Sequence, residues 1–165
     1  NVDVGRLPSA ILGLVGKADF VLMDSAAGLG REAISAINAA EEILVVTNPD
    51  LPAIADALKV TKLAEKTGKK VIGVVVNRSR NKWHELLNSE IESTLGYPIV
   101  ATIPEDRNVA KAITLKMPVT EFAPNSEAAL EIRKLAHHFV GKEFRYPRAA
   151  VARTLIDRLV GWMTR

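Results

Sequence analysis

Short apolar runs alternate along the chain with longer segments whose apolar residues recur at helical spacing. The short runs are bounded by turn-forming or polar residues and predict buried strands at Ala18–Asp24, Glu42–Thr47, Lys70–Asn77 and Ile99–Ile103. The longer segments predict helices at Leu7–Val15, Arg31–Ala40, Leu51–Lys66, Trp83–Leu95, a short stretch after Asp106, and Ser126–Val140. Strands that alternate with helices predict an α/β fold with a doubly wound, mostly parallel sheet.

Composition narrows the class of protein. A chain of 165 residues with 48% hydrophobic and 5% aromatic residues suits one domain with an aliphatic core. The chain has no cysteine, which excludes thiolate metal sites within it and disfavours iron–sulfur carriers. Its net charge of +3, with acids and bases interspersed, supports nucleic-acid binding only weakly. No apolar run is long enough to span a bilayer.

The first predicted strand ends in a carboxylate, Asp24, and a loop with Gly28 and Gly30 follows it. In parallel α/β folds, ligands bind beyond the carboxyl ends of the strands. A carboxylate there can hold Mg²⁺, usually through the waters of the ion, and a glycine lets the backbone approach a phosphate closely. The alternative is that Asp24 only caps the next helix.

Two further strand ends carry polar residues that suit a nucleotide. Asn77 and Arg78 follow one strand, and the side-chain amide of Asn77 can both donate to and accept from an adenine edge. Pro104, Glu105 and Asp106 follow another, where the proline ring is suited to pack on a base. Each residue type is also ordinary in loops, but together on one sheet edge they predict a nucleotide site.

The last residues, 149–165, predict an amphipathic helix. One half of its circumference is apolar, with Val151, Ala152, Leu155, Ile156, Leu159, Val160, Trp162 and Met163. The other half is polar, with Arg153, Thr154, Asp157, Arg158, Gly161, Thr164 and Arg165. Basic residues beside an apolar face with a tryptophan are typical of a helix that lies in a membrane interface. The alternative is a helix that docks on the domain itself or on a partner helix.

Similarity to a known family extends from about Leu7 to Val140. It is carried by the runs DFVLMDSAAGLGREAISAINAAEEILVVTNPDLPAIADALKV, GVVVNR and VATIPEDRNVAKA. In order and spacing these runs resemble the C-terminal part of MinD-type ATPases, in particular the archaeal branch. These enzymes belong to the ParA/MinD group of deviant P-loop ATPases.

The resemblance implies roles for individual residues and implies ATP and Mg²⁺ as cofactors. Asp24 matches the Walker B aspartate at the Mg²⁺ site, and Gly28 lies in the switch II match, Ala27–Leu29. Asn77 and Arg78 match the adenine-side pair. Pro104, Glu105 and Asp106 match a second adenine-side loop. Asp56 matches a helix aspartate of the family near the surface for dimerisation and partners. The alternative for Asp56 is a solvated helix carboxylate.

One departure from the family is large. The pattern G-x-x-x-x-G-K-[ST] of the phosphate-binding loop does not occur in the chain, and the family's switch I aspartate is missing too. Because the family has these features on the N-terminal side of the matching region, we expect a fragment of a longer ATPase that does not hydrolyse ATP by itself. The expected organisation is ATPase domain over 1–143, linker over 144–148 and membrane-targeting helix over 149–165.

The function that the resemblance implies is that of a cytoplasmic, peripheral ATPase on the inner face of the cell membrane. Such a protein dimerises with ATP, binds anionic lipid, answers to a protein regulator and positions the division site or another cell structure, without specific nucleic-acid binding. A ParA-type DNA-partition ATPase, a flagellar-number regulator and a non-hydrolysing scaffold remain as alternatives. We expect no metal site at the scattered histidines, and we expect Trp83 to have a packing role.

Overall fold

The computed structural model describes residues 11–14, 16–25 and 28–147. Its contacts divide the chain into two compact units, 1–100 and 101–165. The helices are α1 (Arg31–Ala39), α2 (Leu51–Lys66), α3 (Asn88–Leu95), α4 (Arg107–Thr114), α5 (Val119–Phe122) and α6 (Glu127–Phe139). The strands β1 (Glu42–Thr47), β2 (Lys70–Ser79) and β3 (Ile99–Pro104) form one sheet in the order β1-β2-β3.

Strands β1 and β2 run parallel, and their register pairs Thr47 with Val76 near the carboxyl ends. The register shifts after Ile43, where Gly73 of β2 pairs with the next residue of β1. An ideal Cβ at Gly73, whose φ is +153°, would lie 2.5 Å from Cγ1 of Val100. Because glycine has no side chain, β2 can pass close to the backbone segment that contains Val100 at this irregularity. The predicted α/β class with parallel strands is confirmed.

Each unit has its own buried apolar residues. In the first unit, aliphatic side chains of the two parallel strands and of helices α2 and α3 form the core, with Val74, Val76, Ala64, Ile91 and Leu95 at most 1% exposed. In the second unit, Ala112, Val119 and Ala129 form a smaller cluster. The β-branched residues of β2 and the small residues of the helices allow close packing of strand against helix.

The strand predicted at Ala18–Asp24 is wrong for this structure. The described residues 16–25 form no helix or strand. Apolar side chains that the prediction places in the core are exposed to solvent instead, Leu22 to 94% and Phe20 to 59%. An apolar run becomes a strand only when a neighbouring strand satisfies its backbone groups. Among the described residues, the sheet consists of β1, β2 and β3, so none of its strands supplies that partner.

The helix predicted at Trp83–Leu95 begins later, at Asn88. In the segment predicted as its first turn, a backbone group bonds to a distant residue instead of to the helix. The N–H of Leu86 donates to the carbonyl oxygen of Pro49 at 3.0 Å. The N–H of Leu87 donates to the Glu90 carboxylate at 2.7 Å, which fixes the start of the helix. Trp83 is 95% exposed, so the expected packing of this residue is also wrong.

Other boundaries follow their local signals. Asp50 caps α2 by accepting from the N–H of Ala53 at 2.9 Å, and Gly68, with a φ of +68°, follows its end. Ser126 is the cap of α6 and accepts from the N–H of Ala129 at 3.4 Å. Most of the helix predicted at Leu7–Val15 lies outside the described residues, as does the amphipathic segment 149–165.

Candidate functional site

The carboxyl ends of β1 and β2 bring two polar loops to one edge of the first unit. The pair Thr47–Val76 ends the parallel ladder, so the following residues, Asn48 after β1 and Asn77 near the end of β2, lie at the same edge. The bond between the N–H of Leu86 and the carbonyl oxygen of Pro49 ties the two loops together. This is the edge at which parallel α/β proteins bind their ligands.

The turn after β2 is held by one carboxylate. Both oxygens of Glu85 accept from the N–H of Arg80 at 3.0 Å, and one of them accepts from the hydroxyl of buried Ser79 at 3.3 Å. Just before this fixed turn, at the end of β2, lies Arg78, an exposed residue with a φ of +58°. A non-glycine residue in this conformation costs about 1 kcal/mol or more, and such residues cluster at functional sites.

Sequence reasoning selected Asn77 and Arg78 but missed Glu85. Asn77 is half-buried at the end of the ladder, and Arg78 is exposed beside it. No local pattern marks Glu85, since its importance depends on how the chain turns back after β2. The turn is therefore a positioned part of the edge rather than a loose connection.

The segment with Asp24 and Gly28 lies before α1 in the same unit. Asp24 is exposed, and Gly28 has a φ of +83° with open space around the position of a Cβ. The cap of α1 is Gly30, without a side-chain hydrogen bond, so Asp24 is not the capping residue of this helix. Ala27, part of the switch II match, lies outside the described residues.

Asp106 has a structural role within the second unit. Its Oδ1 accepts from the backbone N–H of Asn108 at 2.8 Å and from the side-chain amide of Asn108 at 2.9 Å, and its Oδ2 accepts from the N–H of Ala128 at 3.4 Å. The carboxylate thus binds the first turns of both α4 and α6. Burial alone would raise its pKa, but the hydrogen bonds from Asn108, Ser126 and Ala128 together outweigh burial and lower the pKa.

The remaining predicted residues are less constrained. Pro104 ends β3 and is half-buried, and Glu105 is exposed. Asp56 forms an ion pair with Lys59 at 2.8 Å on the solvent side of α2, where both side chains are more than half exposed. Such a surface pair contributes little to stability.

The carboxylate oxygens of Asp24 are suitable ligands for Mg²⁺, a metal ion that this fold class uses. Asp24 offers hard oxygen atoms, as Mg²⁺ prefers, and Mg²⁺ keeps several of its waters rather than a full protein cage. Within the described ranges, no group of three or more His, Cys, Asp or Glu side chains could form such a cage. None of the described helices is both long enough and apolar enough to cross a membrane.

Comparison with known proteins identifies the family. The family model described as "4Fe-4S iron sulfur cluster binding proteins, NifH/frxC family" matches residues 12–162. An uncharacterised ATP-binding protein of Methanocaldococcus jannaschii is 35% identical over 126 residues, which are 76% of this chain and 48% of that protein. The septum site-determining protein MinD of Thermotoga maritima is 33% identical over 154 residues, covering 88% of this chain and 56% of that protein.

A solved structure gives the same result. MinD from Pyrococcus horikoshii, complexed with Mg-ADP, is 32% identical, with a TM-score of 0.78 over 83% of this chain and 56% of that one. The chain spans about half the length of the relatives that it matches. Because it has no cysteine, it offers no thiolate for the cluster in the family description. The chain belongs to the NifH/frxC family and to the MinD/ParA group of proteins.

Proposed function

We propose that the chain is part of a MinD-like ATPase that dimerises with ATP and attaches to a membrane, and so positions the division site or another cell structure. The observation that carries this proposal is the likeness in sequence and fold to the Mg-ADP complex of an archaeal MinD. The parallel strand ends and the fixed turn at Arg78 support it, because they provide a polar edge of the kind that binds nucleotides.

In the first unit, the adenine side of the site is assigned to Asn77, whose amide can pair with the base, and to Arg78, which lies beside it just before the turn that Glu85 holds. The family likeness also gives an adenine-side role to Pro104 and Glu105. Within the second unit, the Asp106 carboxylate orients the backbone that follows these two residues, because it binds two helix starts.

The phosphate side is assigned to Asp24 and Gly28. Asp24 would hold Mg²⁺ through water, and the ion, when bound, neutralises charge on the β- and γ-phosphate oxygens. The open surroundings and positive φ of Gly28 let backbone N–H groups approach a terminal phosphate. Asp24 and Gly28 therefore form the part of the chain that distinguishes ATP from ADP.

Hydrolysis requires residues that these 165 do not contain, because no phosphate-binding loop occurs among them. The direct test is to sequence the DNA upstream of the codon for Asn1. The proposal predicts a glycine-rich loop with two lysines that ends in Lys-Thr. A start codon close to Asn1, without such a loop, would make the protein a non-hydrolysing relative.

Membrane attachment is assigned to residues 149–165. Each arginine near an anionic surface contributes about 1 kcal/mol at best, so one such helix binds weakly. Two helices in one dimer act as linked sites, which raises binding by about a hundredfold or more. ATP-dependent dimerisation would therefore switch attachment on, and hydrolysis would release it.

Liposome flotation with phosphatidylglycerol vesicles tests this assignment. Deletion of 151–165 should abolish flotation without loss of nucleotide binding by the protein that carries the phosphate loop. Leu155→Glu, on the apolar half, should weaken flotation strongly. Thr154→Glu, its neighbour on the polar half, is the matched control with the same charge change. Flotation that survives the deletion, or equal losses for the two substitutions, would refute membrane attachment through an amphipathic helix.

A further inference from the structure

The chain turns back on itself after α6. Gly141 has a φ of +65°, and its N–H donates to the carbonyl oxygen of His138 at 3.2 Å. The N–H of Lys142 donates to the carbonyl oxygen of His137 at 2.9 Å. Such a glycine with paired backbone bonds ends a helix and reverses the chain direction. The residues that follow therefore start on a path back along the helix.

Two aromatic side chains of this returning segment pack on α6. The ring of Phe144 meets the ring of His137 edge-on at 5.2 Å, and it meets the ring of Tyr146 at 5.1 Å. The hydroxyl of Tyr146 donates to Oε1 of Glu131 at 2.6 Å, and Nζ of Lys134 lies 5.8 Å from the centre of its ring. These contacts join the segment to three successive turns of one helix flank.

The order of these contacts along α6 shows that residues 144–146 run antiparallel to the helix. Phe144 lies at His137, and Tyr146, two residues later, lies at Lys134 and Glu131, nearer the start of α6. Two extended residues advance about 7 Å, and the helix rises about 1.5 Å per residue, so the segment and the helix match in length. Tyr146, the last of these contacts along the chain, therefore lies beside the middle of α6 rather than at its end.

We propose that residues 142–147 form a docked strap on the flank of α6, and that this strap sets the face that the protein presents to the anionic lipid surface. The inference rests on the proposed membrane role of residues 149–165. Without docking, a free chain from Val140 to Pro147 would have a root-mean-square length of about 16 Å. That tether would let the body rotate freely above the membrane, whereas the strap holds the α6 flank toward it.

The charge of this flank suits the same surface. α6 and the strap together carry four cationic side chains against three carboxylates, which is an excess of one positive charge. The cationic side chains are Arg133, Lys134, Lys142 and Arg145, and the carboxylates are Glu127, Glu131 and Glu143. Glu143 pairs with Arg145 at 3.1 Å, and Glu131 lies 3.6 Å from Lys134. The excess of cationic side chains therefore favours approach to anionic lipid headgroups.

Docking itself is tested in the full 165-residue chain without lipid. Trypsin cleaves after Arg145 only when the strap opens, so the cleavage rate follows the open fraction. Each ring pair shifts this equilibrium by about two- to tenfold, and Phe144→Ala with Tyr146→Ala should accelerate cleavage about tenfold or more. Tyr146→Phe, which keeps the ring and loses only the hydroxyl, should have a smaller effect. Cleavage of the unaltered chain at the rate of the double variant would refute docking.

A spectroscopic measurement gives an independent readout. Burial and the hydrogen bond to Glu131 raise the pKa of Tyr146 above its ordinary value. The chain has two tyrosines, so Tyr97→Phe leaves Tyr146 as the only phenol in an ultraviolet titration. Phe144→Ala in that background should lower the Tyr146 pKa toward about 10, the value of free tyrosine. An unchanged titration would show that the ring of Phe144 does not hold the strap in place.

Orientation on lipid is tested with single fluorescent labels, since the chain has no cysteine of its own. His138→Cys places the label on an exposed position near the strap, and Ala136→Cys places the matched control farther around the helix. The vesicles contain equal parts of phosphatidylglycerol and phosphatidylcholine with a nitroxide headgroup quencher. The strap predicts stronger quenching at 138 than at 136, and loss of that difference in the Phe144→Ala, Tyr146→Ala variant.

The outcomes separate the two proposals. Equal quenching at both labels in the unaltered chain, or a difference that survives the double substitution, would refute the orienting role of the strap. Failure of both the unaltered chain and, with ATP, the protein translated from the complete reading frame to bind the vesicles would refute the proposed membrane function and, with it, the lipid half of this inference. The trypsin and titration measurements decide docking in either case.

Discussion

We expect removal of the Asp106 carboxylate to destabilise the second unit. This carboxylate accepts two hydrogen bonds from Asn108 in the first turn of α4, one from Ala128 in the first turn of α6 and one from the side chain of Ser126, the cap of α6. Two helix starts that are far apart in sequence thus depend on one group. Asp106→Ala removes every acceptor, while Asp106→Asn keeps one oxygen and places an amide NH₂ where the other stood.

The size of the effect follows from these bonds. Loss of a helix cap to alanine costs about 1–2 kcal/mol, and the long bond to Ala128 adds about 0.5–1 kcal/mol. Asp106→Ala should therefore lower the free energy of unfolding by about 1.5–3 kcal/mol at neutral pH. Asp106→Asn should lower it by only about 1 kcal/mol, because asparagine caps a helix nearly as well as aspartate but cannot accept from Ala128 with its amide nitrogen.

The pH dependence has a definite sign. Because the pKa of Asp106 is lower in the folded protein than its ordinary value of 3.8, the carboxylate stabilises the fold above that value. This contribution is lost as the pH falls through the lower, folded pKa. The stability gap between the unaltered chain and Asp106→Asn should be constant from pH 7 to about 5 and shrink toward pH 2.

Urea unfolding, followed by circular dichroism at 222 nm across this pH range, measures the gap. The other carboxylates titrate in both chains, so their effects cancel in the difference. An Asp106→Asn chain as stable as the unaltered one at pH 7 would show that the bond to Ala128 contributes nothing. A gap that stays constant down to pH 2 would show that the charge of the carboxylate is not its source.

The remaining predictions concern the first unit. Gly73→Ala should lower the free energy of unfolding by about 2–4 kcal/mol, because its Cβ would meet Val100, whereas Gly68→Ala, with open space around it, should cost about 1 kcal/mol. Urea titration compares the two, and equal losses would contradict the close contact. Trp83→Ala should change stability by less than about 0.5 kcal/mol. In a Trp162→Phe chain, acrylamide should quench Trp83 as efficiently as free tryptophan, and a shielded Trp83 would contradict its exposure.

The elements that sequence reasoning located well are those with complete local signals. β1 and α2 were predicted to the residue, because the strand is bounded by polar residues and the helix lies between the Asp50 cap and Gly68. The start of α3 could not be found in this way. It depends on the bond between Leu86 and Pro49, which are distant in sequence, and that bond draws the predicted first turn into the loop edge.

The site shows the same limit. Residue type and strand order were enough to bring Asn77 and Arg78 to a polar sheet edge, but Glu85, which holds the turn, carries no pattern of its own. Asp106 was selected for the nucleotide because it follows a strand. Its carboxylate instead binds two helix starts, one of which begins some twenty residues later and so leaves no local trace.

The proposed role of Asp24 is to hold Mg²⁺ in an ATPase. The most direct measurement is ATP hydrolysis by the protein translated from the complete reading frame, with Asp24→Asn beside Asp19→Asn, an exposed carboxylate of the same segment. We expect Asp24→Asn to lower Mg²⁺-dependent hydrolysis by about a hundredfold or more, and Asp19→Asn to leave it unchanged. Equal activity in the two variants, or no hydrolysis by the complete protein, would contradict this role.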